Sequence, residues 1–266
     1  MRRLLLILVS IGLIVYLFTG CSVPTVPSDG EEVIDEDGAE RVVMVELFLG
    51  PACPLCPDAK KAMATLLQEY KFDKLVVLEE YGWDDDEYGY TGWATEETRD
   101  RFIWYSGYTR HTPDAYFNGL KRAVHNNQKP YYDKYKEAIE TELAEPALVS
   151  ITASCDIINS SVNIAGNIEN VGSEDLYDII IGAMIYEDSV YLGTTKVNRV
   201  VRDIITPEES EQIISTFFVG DSHEFSLTSS SLSNVHKMSN IHVVVYVQAP
   251  NSPTKEILQA LYVEKN

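Results

Sequence analysis

Cysteine is scarce in this chain, and so is positive charge. Four cysteines, at positions 21, 53, 56 and 155, are spread over 266 residues. That is too few for a scaffold in which several bridges replace a core. Lysine and arginine number 21 against 41 acidic residues, for a net charge of −20. A chain so poor in bases is not expected to bind nucleic acid or to adhere by charge to anionic lipid. Histidine is rare as well, and His223, His236 and His242 lack metal-ligand spacing. No metal and no cofactor is expected. Long apolar runs are short: Leu4–Phe18 falls below the roughly 20 residues that span a bilayer. Hydrophobic content is nevertheless 45%, enough for a sizeable core in one large or two ordinary domains.

The most informative stretch runs from Val42 to Leu67. Val42–Leu49 is apolar and rich in β-branched residues, and Gly50-Pro51 bounds it, so it reads as a buried strand. Cys53-Pro54-Leu55-Cys56 follows. Ala59, Ala62, Met63, Leu66 and Leu67 then recur at helical spacing. Two cysteines, two residues apart, therefore stand where a strand turns into a helix. The unpaired N–H groups and positive dipole end of a helix start stabilise an anion, so a thiol held there ionises more easily. Cys53 is expected to be the attacking sulfur and Cys56 the resolving one. Pro54 suits the first helical position, whereas Pro57 removes a donor where intrahelical bonding should begin. The alternative is that the pair forms an inert structural disulfide.

Residues 1–21 read as a targeting segment: Arg2 and Arg3, the apolar run, then Thr19-Gly20-Cys21. The pattern resembles a bacterial lipoprotein signal, which implies lipid on Cys21 and a chain held outside the cytoplasm at the cell membrane. An uncleaved anchor is the competing reading. Residues 22–40, with seven acids and no base, are expected to form a disordered tether. Asp35-Glu36-Asp37-Gly38 lacks the later ligands of a calcium loop. Asp84-Asp85-Asp86-Glu87 reads as a solvated loop.

Residues 41–145 are expected to form one α/β unit. Lys74–Glu79 gives a second strand, Thr95 opens a helix, and a strand begins at Pro113 and ends at Asn118-Gly119. Lys121–His125 is its expected hairpin partner, and Tyr131–Leu143 a closing helix. This order, with C-x-x-C early and Thr112-Pro113 late, resembles the thioredoxin superfamily. The resemblance implies a cis proline at Pro113 facing the dithiol, with the Thr112 backbone holding a substrate chain. It also suggests Glu46 as a proton relay, against an ion pair or a strand-end position. His111 either approaches Cys53 or lies on the surface.

From Pro146 the character changes. Val149, Ile151, Ala153, Cys155 and Ile157 alternate with polar residues, and five further apolar runs are separated by turn signals. Seven or so strands predict an antiparallel sandwich over 146–266, similar to immunoglobulin-like domains. Cys155, on the apolar side, is expected to be a buried free thiol.

The fold expected is thus an α/β thioredoxin-like domain followed by an all-β immunoglobulin-like sandwich. The function expected is a membrane-tethered thiol–disulfide oxidoreductase using Cys53 and Cys56, with Pro113 and Thr112 beside them. Its partners would be exported proteins bearing thiols or disulfides, and a redox partner. A binding or scaffold lipoprotein with a structural disulfide is the alternative. A copper carrier ranks third, since only His111 could assist the dithiol.

Overall fold

The computed structural model describes residues 39–84, 92–106, 111–121, 123, 130–192, 195–205 and 213–265. The segment bearing Cys21 and nearly all of the acidic stretch after it lie outside the described residues. So do Asp85-Asp86-Glu87 and most of Lys121–His125. No helix among the described residues is long and apolar enough to cross a membrane.

The chain runs β1 (Val43–Leu49), α1 (Cys56–Lys74), β2 (Leu75–Tyr81), α2 (Glu96–Ser106), β3 (Asp114–Phe117) and α3 (Tyr131–Leu143). Only strands follow: β4 (Val149–Ile158), β5 (Ser161–Asn170), β6 (Leu176–Glu187), β7 (Val190–Leu192) and β8 (Thr195–Val197). Then come β9 (Val200–Ile205), β10 (Ile213–Phe217), β11 (Ser222–Thr228), β12 (Ile241–Gln248) and β13 (Ile257–Val263).

One mixed sheet organises these elements, in the order β13-β12-β6-β9-β2-β1-β3, with β10 added against β6. Its β1–β2 and β2–β9 pairs are parallel, and the others are antiparallel. This sheet corrects the expectation of a thioredoxin-like α/β domain followed by a separate immunoglobulin-like sandwich. The described chain is mainly β with three helices, and strands from both sides of residue 146 share one ladder. The physical reason lies in β2. All seven of its residues are buried, so it requires a neighbour on both edges and cover on both faces. β9 supplies the second edge: the Glu79 N–H donates to the Arg199 carbonyl at 2.8 Å, and Arg199 also reaches the Glu79 carboxylate. Alternation along a sequence identifies strands but does not name their partners.

The ends of the sheet are drawn together. The Val42 N–H donates to Gln259 Oε1 at 3.0 Å, and the Ile257 N–H donates to the Asn118 carbonyl at 2.9 Å. Arg41 donates to the Leu258 carbonyl. The inward face thereby encloses a core of Met44, Val76, Leu78, Met184, Tyr186, Val244, Tyr246 and Ile257. Gly182 is needed there: a Cβ would come within 2.5 Å of the Tyr246 ring, which lies across β6.

The outward face carries two more cores. Near β1 and β2, Val45, Leu47 and Val77 pack against Ala59, Met63 and Leu66 of α1 and Tyr135 and Ile139 of α3. Near β6 and β12, Ile181, Ala183, Val243 and Val245 pack against a three-stranded sheet ordered β11-β5-β4. Fully burying one such side chain contributes about 1.5–3 kcal/mol. Cys155 of β4 is buried in that second core and unbridged, and burial pushes its thiol above the ordinary value.

Candidate functional site

The two cysteines stand at the end of β1 and the start of α1. Gly50, Pro51 and Ala52 turn the chain, and the Cys53 N–H donates back to the Gly50 carbonyl at 3.2 Å. The helix begins at Cys56, later than Pro54 as the sequence suggested, and its cap residue Leu55 makes no side-chain hydrogen bond. Pro57 then lies within the first turn, where its missing N–H has no intrahelical partner to lose. That accounts for a proline that looked misplaced. The Cys56 N–H, one of the free donors of the helix start, points at Cys53 Sγ at 3.1 Å.

Cys53 and Cys56 are joined as a disulfide, with Cα atoms 5.4 Å apart. Cys56 is 4% exposed and belongs to the core beneath α1, while Cys53 is half-buried at its margin. Leu55, between them, is 49% exposed. An approaching thiol therefore meets Cys53 first, across an apolar lip.

Thr112 and Pro113 are brought to the same place. Their peptide bond is cis, and Pro113 is buried. A Cβ on Gly50 would lie 3.1 Å from Thr112 Oγ1 and 2.9 Å from the Trp83 ring, so only glycine lets these three segments meet before the cysteines. His111 is exposed, and no hydrogen bond or ion pair among the described residues joins it to the disulfide.

Glu46 does not join them. Along β1, Leu47 faces the core containing Cys56, and Glu46 faces the other way. There it is fully buried, ion-paired to Arg101 of α2, and accepts a hydrogen bond from the Tyr105 hydroxyl at 2.7 Å. Gln248 of β12 donates to that hydroxyl at 2.9 Å. The fully buried Glu80 carboxyl adjoins Glu46, and burial, then the Glu46 charge, raise it well above the usual carboxylate range.

A buried acid on the disulfide's side of the sheet is Glu79. Lys60, one turn along α1 from Cys56, binds its carboxylate at 2.9 Å, and Arg199 binds it at 2.7 Å. Lys60 also donates to the Tyr81 hydroxyl at 3.2 Å, and Tyr81 shares the core of Cys56. Burial, then the Glu79 charge, push the Tyr81 phenol well above its ordinary value. Sequence reasoning missed this group because it ended the second strand at Glu79. Val77, Glu79 and Tyr81 alternate onto one face, which was the available signal.

Among the described residues, no three of His, Cys, Asp and Glu lie close enough to hold a metal ion.

No family model and no curated protein matches the chain. Among solved structures it is similar to HBP35 of Porphyromonas gingivalis, with a TM-score of 0.62 at 12% identity over 83% of this chain and 74% of that one. It is also similar to protein AGR_C_4864 from Agrobacterium tumefaciens, with a TM-score of 0.55 at 19% identity over 85% of this chain and 96% of that one. At such identities the likeness is one of fold. Each match covers more of this chain than either side of residue 146 contains, in keeping with one shared sheet in place of the thioredoxin-like and immunoglobulin-like pair.

Proposed function

We propose that this chain is a thiol–disulfide oxidoreductase acting on exported proteins outside the cytoplasm, held at the cell membrane by lipid on Cys21. The observation that carries the reading is the Cys56 N–H directed at a half-buried Cys53 Sγ from an uncapped helix start. A sulfur there has a hydrogen-bond donor and the dipole end to stabilise its thiolate. An inert structural bridge has no use for either.

Exchange proceeds in two displacements. A substrate thiolate attacks Cys53 Sγ, the Cys53–Cys56 bond breaks, and Cys56 leaves as a thiolate. A second substrate thiolate then attacks the substrate sulfur of the mixed disulfide, and Cys53 leaves. The substrate dithiol loses two electrons to the pair, and a redox partner removes them again. Stabilisation of the Cys53 thiolate makes it the better leaving group in the second step. Thr112, close to Gly50, is the residue we expect to meet the substrate chain, with Pro113 buried behind it. The membrane tether rests on the targeting pattern ending at Cys21 alone.

The test is trapping. The same displacements run in reverse, the Cys53 thiolate attacking a substrate disulfide and Cys56 then displacing the substrate sulfur from Cys53. In that direction Cys56→Ser should accumulate mixed disulfides with exported proteins through Cys53, because the resolving sulfur is gone, and Cys53→Ser should accumulate none. Equal, background-level capture by both variants would leave the pair as a structural bridge in a binding or scaffold protein.

A further inference from the structure

A second site lies on the inward face of the sheet, away from α1 and the disulfide. α2 packs on β2 and β9, and β6 and β12 carry the sheet on past β9. Between α2 and that extension is a cleft of about 700 Å³, within the range of small-molecule sites. Its floor is apolar: Ile180, Ile204 and Ile213, with the Tyr246 ring. Its inner end is closed by Arg101 and Gln248, both engaged in the bonds to Glu46 and Tyr105 described above. Arg101 is thus already neutralised.

The walls are acidic on both sides. Glu96, Glu97 and Asp100 come from α2, and Asp178 stands opposite on β6. Among the described residues no cationic side chain lies within ion-pair distance of these four, whereas the buried acids Glu46, Glu79 and Glu187 are all paired. Carboxylates beside an apolar floor complement an organic cation. The isoleucine floor calls for an aliphatic body, and carboxylates on both walls call for more than one positive centre.

We propose that this cleft binds an elongated aliphatic cation of the polyamine type, its methylenes on Ile180, Ile204 and Ile213 and its ammonium groups at Asp100 and Asp178. The site is independent of exchange at the sulfurs.

Calorimetric titration of the full chain with spermidine, at about 0.15 M salt to screen diffuse attraction, tests it. Saturable binding to one site is expected. Asp100→Asn and Asp178→Asn should each weaken it about tenfold, the loss of one charge-assisted hydrogen bond. Both residues are exposed, and asparagine tolerates the positive φ of 49° at position 178, so folding is preserved. Ile213→Ser, at a side chain 57% exposed, should weaken spermidine but leave any residual Mg²⁺ association unchanged. Glu224→Gln, an exposed acid on the three-stranded sheet, should change nothing. Absence of saturable binding overturns the proposal. So does a Glu224→Gln loss equal to that of Asp100→Asn, which would mean attraction to the acidic surface as a whole.

Discussion

Lys60 and Glu79 form an ion pair 2.9 Å long at the floor of the α1 core, with the carboxylate fully buried and the ammonium 22% exposed. Arg199, from the far side of the chain, holds the other oxygen. Removing the carboxylate leaves two cations facing a buried site. Glu79→Ala should therefore cost about 3–5 kcal/mol, read from urea unfolding. Lys60→Met, which leaves Arg199 to neutralise Glu79, should cost clearly less. Equal costs would mean that the Arg199 contact contributes little.

Glu80 makes stability depend on pH in a stated direction. Its folded-state pKa is raised, by burial first and then by the Glu46 charge. The folded state thus binds a proton that the unfolded state releases near the ordinary pKa of about 4.3. The associated stability is complete below that value and falls as pH rises through the raised folded value. Glu80→Gln, neutral at every pH, should match the parent near pH 4 and exceed it in alkaline buffer. Denaturation midpoints at several pH values check this, and parallel curves for the two proteins would contradict it.

Gly182 allows the Tyr246 ring to lie across β6. Gly182→Val forces that ring out of the enclosed core and should lower stability by about 1–3 kcal/mol, with a matching fall in Tm. An unchanged Tm would show that the ring does not occupy this place.

Because β9 joins β2 at the Glu79–Val200 pair and the sheet's ends meet through Arg41, Val42 and Gln259, the described chain should unfold in one transition. Calorimetric and van't Hoff enthalpies should agree. Two resolved transitions, divided near residue 146, would speak for separate bodies.

Local features were legible in the sequence. Val42–Leu49 reads as a buried strand because it is apolar throughout, and β1 is buried along its whole length. Ala59, Ala62, Met63 and Leu66 recur at helical spacing, and all four are buried under α1. Thr95 opens α2 as expected, its hydroxyl accepting the Thr98 N–H at 3.2 Å while Thr98 Oγ1 accepts the Thr95 N–H. Strand partnership was not legible. Glu79 reads as the end of the second strand until Arg199, 120 residues later, is placed beside it. The sequence change at Pro146 marks where helices stop, and β9 nevertheless returns to the first half to complete its sheet. Glu46 illustrates the same limit: its position one residue from Leu47 settles which face it takes only once the core side of β1 is known.

The reactivity of Cys53 tests the account most directly. After reduction of the full chain, alkylation across pH and mass spectrometry report each sulfur separately. Cys53, with the Cys56 N–H directed at its sulfur, should react first, and at lower pH than a free cysteine. Cys56, 4% exposed, should lag, and Cys155, buried in the other core, should stay unmodified until the protein unfolds. If Cys53 instead reacts no faster than free cysteine and no sooner than Cys56, the helix start does not activate it, and the exchange reading fails.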